Sequence, residues 1–233
     1  DEWGRSERVR GWVRKAYEVV EGITVPKAFV ANEQDEPIRW MPDTKNRWGT
    51  TRFVDPADGQ TYLYTQYEPA DARRVFPNLE QPDLRAPFKF SLTGPEGWWL
   101  GSNQPEASRS AVAEGVVRAE FAPTHTLSTY ITCLAAGPYH RVIDSWQGME
   151  LGLMCRRSLA RYLDSDELFR LTKAGLEWLT ANFGEYPWGV KYDQIFVPEY
   201  NLGAMENPGL VTFTEHYLFR SPATPAQLQG RAN

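Results

Sequence analysis

The chain has 233 residues, of which 42% are hydrophobic and 24% are charged, and its formal net charge is −5. This composition is typical of a globular protein, and the negative charge argues against nucleic acid as a partner, because nucleic-acid-binding domains are usually basic. No stretch approaches the roughly 18 consecutive apolar residues of a membrane span, so we expect no membrane partner.

Residues 1–50 carry no motif and stay unassigned to a domain. Apolar residues recur with a loose helical period over Arg8–Val20, whereas Asn32–Trp48 is rich in Pro, Asp and Asn. The character of the sequence changes at Thr51.

Residues 51–155 predict an antiparallel β-domain. Asp55–Gly59 is a turn signal, and Gln60–Tyr67 then alternates in the manner of a strand. Further short runs follow at regular spacing and are separated by Gly and Pro, as in all-β domains. These predicted strands are Phe88–Thr93, Trp98–Ser102, Gly115–Phe121, Ser128–Ala136, Arg141–Trp146 and Gly148–Cys155.

Residues 156–233 show a mixed α and β pattern. Asp164 and Glu167 have the spacing of a helix N-cap and its reciprocal carboxylate. Apolar residues then follow at helical spacing until Gly184 provides a stop, namely Leu168, Leu171, Leu176, Leu179 and Phe183. The later elements predicted are strands over Tyr192–Val197 and Gly209–Phe213 and a helix over Thr224–Ala232.

The most informative stretch is Gly203-Ala204-Met205-Glu206-Asn207. Its Gly-x-x-Glu core lies between two strand-like runs, so it offers exposed backbone beside a single carboxylate. An exopeptidase needs both features: main-chain groups that pair with an extended peptide, and a negative charge that holds the free α-amino group. An ordinary turn glycine and a solvated loop glutamate are the alternative interpretations.

This stretch resembles the Gly-Ala-Met-Glu-Asn signature of zinc aminopeptidases of the aminopeptidase N family. Two more segments resemble the same family, and the three occur in order along the chain. The second comprises Tyr64–Arg74 with Glu80–Ala86, and the third comprises Pro123–Tyr130 with Ala136–Tyr139. The resemblance covers about residues 50–233 and leaves the first 50 residues out.

The family resemblance implies a β-rich, α+β fold class. An antiparallel β N-terminal domain would occupy residues 51–155. The start of a thermolysin-like α+β catalytic domain would occupy residues 156–233. We therefore place the domain boundary after residue 155.

The resemblance also implies substrate-binding roles. Glu206 would hold the substrate's ammonium group, and the small residues Gly203 and Ala204 would let a substrate strand approach the sheet edge. Gln66 and Glu68 lie two apart, so in a strand they point to the same face, where the amide would accept from or donate to the first substrate residue. A polar outer strand face is the alternative for this pair. The predicted substrate-binding residues are Gln66, Glu68, Gly203, Ala204, Met205, Glu206 and Asn207.

Zinc is the cofactor that the resemblance implies, yet the sequence contains no His-Glu-x-x-His. A catalytic zinc site of this class needs two histidines at i and i+4 of a helix, a glutamate between them and a third carboxylate. His125, His140 and His216 are too far apart in sequence to form such a pair. We therefore expect no catalytic residue and no metal ligand in the chain, which would end shortly before the first zinc ligand, and no activity of these residues alone.

The sequence thus predicts the substrate-recognition portion of a zinc metalloaminopeptidase, a hydrolase that releases N-terminal amino acids from peptides. A non-catalytic peptide- or protein-binding β-domain is the alternative. A peptide is the expected partner, and the oligomeric state is unknown from the sequence. Cys133 and Cys155 lie in apolar runs, which predicts reduced thiols and a cytoplasmic protein. A disulfide between them is the alternative.

Overall fold

The computed structural model describes residues 49–76 and 78–232, together with the backbone of strands β1 (Tyr17–Val20) and β2 (Ile23–Pro26). These two strands pair in antiparallel register. The helical pattern predicted over Arg8–Val20 is therefore wrong at its C-terminal end, where aromatic and β-branched residues favour a strand once a partner strand follows closely. The remainder of residues 1–48 lies outside the described part of the chain.

One antiparallel sheet of the described residues has the order β3-β4-β9-β6. Its strands are β3 (Gly49–Val54), β4 (Thr61–Gln66), β6 (Trp99–Ser102) and β9 (Leu134–Gly137). The predicted turn between β3 and β4 is confirmed: the Asp55 carboxylate accepts a hydrogen bond from the Ala57 amide at 2.9 Å, and Gly59 adopts a φ of 69°. This turn sets the register between β3 and β4, in which Gln66 is the last residue of β4 and lies opposite Gly49.

A second antiparallel sheet has the order β5-β8-β7. It comprises β5 (Ser91–Pro95), β7 (Glu106–Ala113) and β8 (Val116–Phe121). The sequence did not predict β7, because all its side chains are exposed and no apolar alternation marks it. The single strand predicted over Ser128–Ala136 is also wrong. A 3₁₀ turn over Thr129–Ile131 precedes β9, and the Thr132 hydroxyl closes it by donating to the Thr129 carbonyl at 2.7 Å.

A mixed sheet of the described residues has the order β10-β11-β12-β14-β13. Its strands are β10 (His140–Trp146), β11 (Met149–Cys155), β12 (Lys191–Val197), β13 (Ala204–Met205) and β14 (Leu210–Thr214). Strands β11, β12 and β14 run parallel, and helix α1 (Ser165–Phe183) forms the crossover from β11 to β12. Helix α2 (Pro225–Ala232) follows. Strands β10 and β11 belong to this sheet, so the sheet begins before the domain boundary that we predicted after residue 155. The position of that boundary stays a prediction.

Helix α1 begins and ends where the sequence predicts, but its N-terminus is stabilised differently. Asp164 makes no side-chain capping bond; its carboxylate instead accepts from the Arg231 guanidinium of α2 at 3.1 Å. Glu167 pairs with Arg170 one turn later rather than with the helix start. The sequence pattern predicts that both carboxylates accept hydrogen bonds from backbone amides at the start of the helix. In the structure each carboxylate pairs with a nearby arginine instead. Gly184 ends the helix with a φ of 92°, as predicted.

The antiparallel domain packs directly against the mixed sheet. Tyr62 and Tyr64 of β4 share one core cluster with Met154 of β11 and with Ile195 and Val197 of β12. The prediction of a strand-rich antiparallel domain followed by the start of an α+β domain is confirmed. Because the two sheets share a core, side chains at the end of β4 are held in a fixed position relative to the end of β12.

Candidate peptide-binding site

Strand β13 lies at an edge of the mixed sheet. Ala204 is opposite Phe213 and Met205 is opposite Thr212 of β14, and the Gly203 carbonyl accepts from the Thr214 amide at 3.0 Å. Backbone groups of successive strand residues point in opposite directions within the sheet plane, so the N–H and C=O of Ala204 point away from β14. No strand of the described residues pairs with this side of β13. The Ala204 backbone is therefore available to an added strand.

The side chains of this segment alternate between the core and the surface. Met205 is 1% exposed and Asn207 is 2% exposed, whereas Ala204 and Glu206 are exposed. The Glu206 carboxylate forms no hydrogen bond or ion pair with any residue that the structure describes. An unpaired negative charge thus lies directly beside the open strand edge.

The turn that follows the segment is held by both domains. Asn103, which follows β6, donates from Nδ2 to the Pro208 carbonyl at 2.9 Å and to the Ile131 carbonyl at 3.0 Å. Lys191 Nζ donates to the Gly209 carbonyl at 2.7 Å. Gly209 has a φ of 74°, and a Cβ there would lie 2.0 Å from the Asn103 carbonyl oxygen. Only glycine fits this close approach, so the geometry beyond Glu206 depends on Gly209.

A chain of hydrogen bonds connects Gln66 with the segment. The Tyr200 hydroxyl lies 2.6 Å from Gln66 Oε1 and 2.8 Å from Thr212 Oγ1, and Asn207 Nδ2 donates to Thr212 Oγ1 at 3.4 Å. The structure thus brings together Gln66 and Asn207, two of the predicted site residues, through Tyr200 and Thr212. We did not single out Tyr200 from the sequence. The sequence feature that could have identified Tyr200 is its position three residues before Gly203.

Glu68 does not share a strand face with Gln66, and that prediction is wrong. Strand β4 ends at Gln66, which is 3% exposed, whereas Glu68 is an exposed residue of the following turn. Pro69 has no N–H with which to extend the ladder, so the strand does not reach Glu68. The substrate-binding role predicted for Glu68 stays a prediction. Burial raises the pKa of Tyr200, and the negative charge of Glu68 contributes to the increase.

The described residues do not supply a zinc site. No three His, Cys, Asp or Glu side chains in residues 49–76 and 78–232 come together in a way that could hold a metal ion. His125 is exposed on a loop, His216 is exposed in the 3₁₀ helix Glu215–Tyr217, and His140 starts β10. Cys133 and Cys155 are buried free thiols. Neither helix of the described part is both long and apolar enough to span a membrane.

Comparison with known proteins places the two halves of this site in one family. Residues 45–131 match the peptidase M1 N-terminal domain, and residues 169–233 match the peptidase family M1 domain. The chain is 49% identical over 189 residues to aminopeptidase N of Streptomyces lividans, an alignment that covers 79% of this chain and 21% of that protein. It belongs to peptidase family M1. The predicted resemblance to the aminopeptidase N type is confirmed.

Other relatives of this M1 chain are also aminopeptidases by name. Glutamyl aminopeptidase of Homo sapiens is 26% identical over 191 residues, covering 80% of this chain and 19% of that protein. Aminopeptidase N of Acetobacter pasteurianus is 32% identical over 166 residues, covering 69% of this chain and 45% of that protein. The M1 chain therefore spans about a fifth of the length of the Streptomyces and human relatives.

Both matched segments of the M1 chain contribute to the site. The N-terminal match contains Gln66 and Asn103, and the second match contains Tyr200, Glu206 and Gly209. The contacts of Gln66 with Tyr200 and of Asn103 with Pro208 join the two segments. The candidate site is thus assembled at the junction of the two M1 domains.

Proposed function

We propose that this chain recognises the amino terminus of a peptide as part of an M1 aminopeptidase, a hydrolase that releases the first residue. The observation that carries the proposal is the exposed Glu206 carboxylate, which has no partner in the described residues and lies beside the open edge of β13. A peptide that pairs with the Ala204 backbone would place its own terminal ammonium near this carboxylate. The relatives' names point to the same class of reaction.

Recognition would combine two kinds of interaction. The outward N–H and C=O of Ala204 would pair with the backbone of an extended peptide, as in other cases of strand addition. Glu206 would form a charge-assisted hydrogen bond with the ammonium, worth roughly 1.5–3 kcal/mol. Only a chain end carries this cation next to its first peptide bond, so the same contact would select the amino terminus over internal segments.

Zinc enters this proposal only through the family, since the described residues do not hold it. Zinc would supply Lewis-acid activation of water when bound. The role we assign to this chain is to bind and orient the peptide. A cytoplasmic location is proposed on the two buried free thiols, which suit a reducing compartment.

The complete gene product provides the test. We expect it to release the first residue from unblocked peptides and to act poorly on the same peptides with an acetylated amino terminus. Glu206→Ala should lower kcat/KM for unblocked peptides by about 30-fold, because it removes the charge-assisted hydrogen bond worth roughly 1.5–3 kcal/mol. Glu206→Gln should fall between the two, since the amide keeps an acceptor but loses the charge.

A matched variant separates recognition from a general loss of negative charge. Glu114 is an exposed glutamate in the turn between β7 and β8, and Glu114→Ala should leave kcat/KM within about twofold. A Glu206→Ala variant that also stayed within twofold would assign Glu206 to a solvated loop instead. Peptide binding without any turnover would favour the non-catalytic binding domain.

A further inference from the structure

A cleft of about 430 Å³ lies at the junction of the antiparallel sheets with the mixed sheet, and residues of β6, β7, β11 and β12 line it. Its volume is within the range of small-molecule sites, about 300–1,000 Å³. Gln66, Ala204 and Glu206 do not line this cleft. It is therefore separate from the candidate peptide-binding site, and the proposed contacts with a peptide leave its side chains unused.

One part of the cleft wall is apolar. Trp99, Leu100 and Phe121 line it, and the last two are each 2% exposed. The Trp99 ring lies against Gly101, where an added Cβ would come within 2.1 Å of the indole. The same ring packs edge-on against Tyr139 at 5.9 Å. Because two neighbours hold the indole in place, the cleft offers a fixed apolar surface to the side chain of a ligand.

The rest of the wall carries equal numbers of positive and negative side chains. They form three ion pairs, each with its closest atoms 2.7 Å apart: Arg109 with Glu106, Arg141 with Glu150, and Lys191 with Asp193. Lys191 and Asp193 are at most 8% exposed, whereas the other two pairs are partly exposed. Because these charges sum to zero, a ligand with a net charge is attracted and repelled about equally, whereas a zwitterion can match both signs.

Two of these pairs leave hydrogen-bonding groups unused. Arg141 donates once, to Glu150 at 2.7 Å, although a guanidinium has five N–H donors. Asp193 accepts from Lys191 through Oδ2, and its buried Oδ1 has no partner in the described residues. A buried carboxylate oxygen without a donor is unfavourable, so a cationic donor that reached it would be stabilised. The cleft thus has spare donors for a carboxylate and a spare acceptor for an ammonium.

We propose that this cleft is a second binding site, which takes a free α-amino acid with an apolar side chain. The ligand carboxylate binds the Arg141 guanidinium, the ammonium binds the Asp193 carboxylate, and the side chain packs against Trp99. An α-amino acid carries these three groups on one carbon atom and, like the lining, has no net charge. The source of the ligand rests on the proposed function, because release of a first residue produces such a molecule. The binding chemistry does not depend on it.

Selenium locates the ligand directly. Crystals of the complete gene product soaked with L-selenomethionine should give an anomalous peak beside Trp99, with the ligand carboxylate about 2.7–3.2 Å from the Arg141 guanidinium. A peak only beside Glu206 would show that the amino acid occupies the peptide site alone, and it would contradict the second site. The absence of any peak would contradict it as well.

Affinities in solution test each ligand group separately. The protein is the complete gene product with Glu206→Gln, which lacks the proposed ammonium anchor of the peptide site. Ligand-observed NMR titration should show L-leucine bound at least about tenfold more tightly than three partial ligands. These are 3-methylbutylamine without the carboxylate, N-acetyl-leucine without the ammonium, and glycine without the apolar side chain. Equal affinity of leucine and N-acetyl-leucine would contradict the role of Asp193.

Substitutions in the same background place the binding in the cleft. Arg141→Gln should weaken leucine binding about tenfold, and it should fold, because its ion pair is partly exposed. Arg170→Gln, in the exposed pair with Glu167, is the matched control and should stay within about twofold. Asp193→Asn should weaken leucine but not N-acetyl-leucine. A change below twofold for Arg141→Gln would overturn the proposed site. If Glu206→Gln instead leaves peptide turnover unchanged, the proposed function fails and the cleft result stands.

Discussion

At the residue scale, the site depends on close contacts that leave no room for another side chain. Gly209 shows this most clearly, because its backbone lies against the Asn103 carbonyl while the turn also receives the Lys191 ammonium. These contacts determine where the chain goes after Glu206. They therefore couple the position of an exposed carboxylate to packing between the two domains.

Substitution of Gly209 by alanine tests this coupling against a matched glycine. Gly59 has a similar φ of 69°, but a Cβ added there would meet no atom within 4 Å, whereas a Cβ at Gly209 would clash at 2.0 Å. Gly59→Ala should cost about 1 kcal/mol from the left-handed conformation alone. Gly209→Ala should cost about 1–3 kcal/mol more, because the backbone must shift. Urea denaturation measures both, and equal losses would contradict the described packing.

Sequence analysis could predict only those site residues that lie within a continuous local motif. Glu206 and its neighbours follow from one continuous stretch, and Gln66 follows from a second. Tyr200 and Asn103 could not be assigned, because their partners are distant in sequence: Tyr200 bonds to Gln66, 134 positions away, and Asn103 bonds to Pro208, 105 positions away. Only the folded chain brings these pairs together.

At the element scale, the strands that face solvent were the hardest to predict. Strand β10 alternates between half-buried and exposed side chains and was predicted closely, whereas the fully exposed β7 gave no pattern. Strand β13 is only two residues long, and its function in the proposal depends on which backbone groups it leaves open. Side-chain periodicity does not indicate which backbone groups of a strand are left unpaired.

Proline substitutions in β13 test the backbone geometry. The Ala204 N–H points to the open edge, so Ala204→Pro should change the free energy of unfolding by less than about 1 kcal/mol, as proline does at strand edges. It should still weaken peptide binding about tenfold, because the peptide loses its hydrogen bond and meets the ring. Met205→Pro should destabilise the fold by at least about 2 kcal/mol, because it removes a ladder bond to Thr212. The opposite order of stabilities would reverse the assigned strand orientation.

At the scale of the whole molecule, a buried ion cluster joins the two domains. Arg156, at the end of β11, forms two hydrogen bonds with Glu215, at 2.5 and 2.7 Å, and lies 2.6 Å from the Asp55 carboxylate in the β3–β4 turn. All three side chains are at most 10% exposed. The Arg156 guanidinium also lies over the Phe53 ring at 5.0 Å. One cation thus neutralises carboxylates from both sides of the junction.

Replacement of Arg156 by methionine should destabilise the fold by about 3–5 kcal/mol at neutral pH, because Asp55 would be left buried without a cation and Glu215 would keep only the 4.0 Å contact with the exposed Arg220. Arg170→Met is the matched control: its exposed pair with Glu167 should contribute less than about 1 kcal/mol. Urea denaturation of both variants measures the difference. Similar losses for the two arginines would show that the cluster does not hold the domains together.

Acidification should weaken the same junction. Burial alone would raise the pKa of Asp55, but hydrogen bonds from Ser158 and the Ala57 amide, together with Arg156, lower it below the ordinary value of 3.8. A carboxyl whose pKa is lowered by folding stabilises the folded state above its unfolded pKa, and this contribution is lost as pH falls through the folded pKa. Asp55→Asn should therefore flatten the decline in stability below about pH 4. An unchanged acid profile would contradict this account of Asp55.

The central claim is that Glu206 and the edge of β13 hold the amino terminus of a peptide. The most direct measurement is a crystal structure of the complete gene product with a non-hydrolysable peptide. We predict that the terminal nitrogen lies about 2.7–3.2 Å from a Glu206 carboxylate oxygen, with the peptide backbone paired to the N–H and C=O of Ala204. A peptide bound elsewhere, with Glu206 facing only solvent, would contradict the claim.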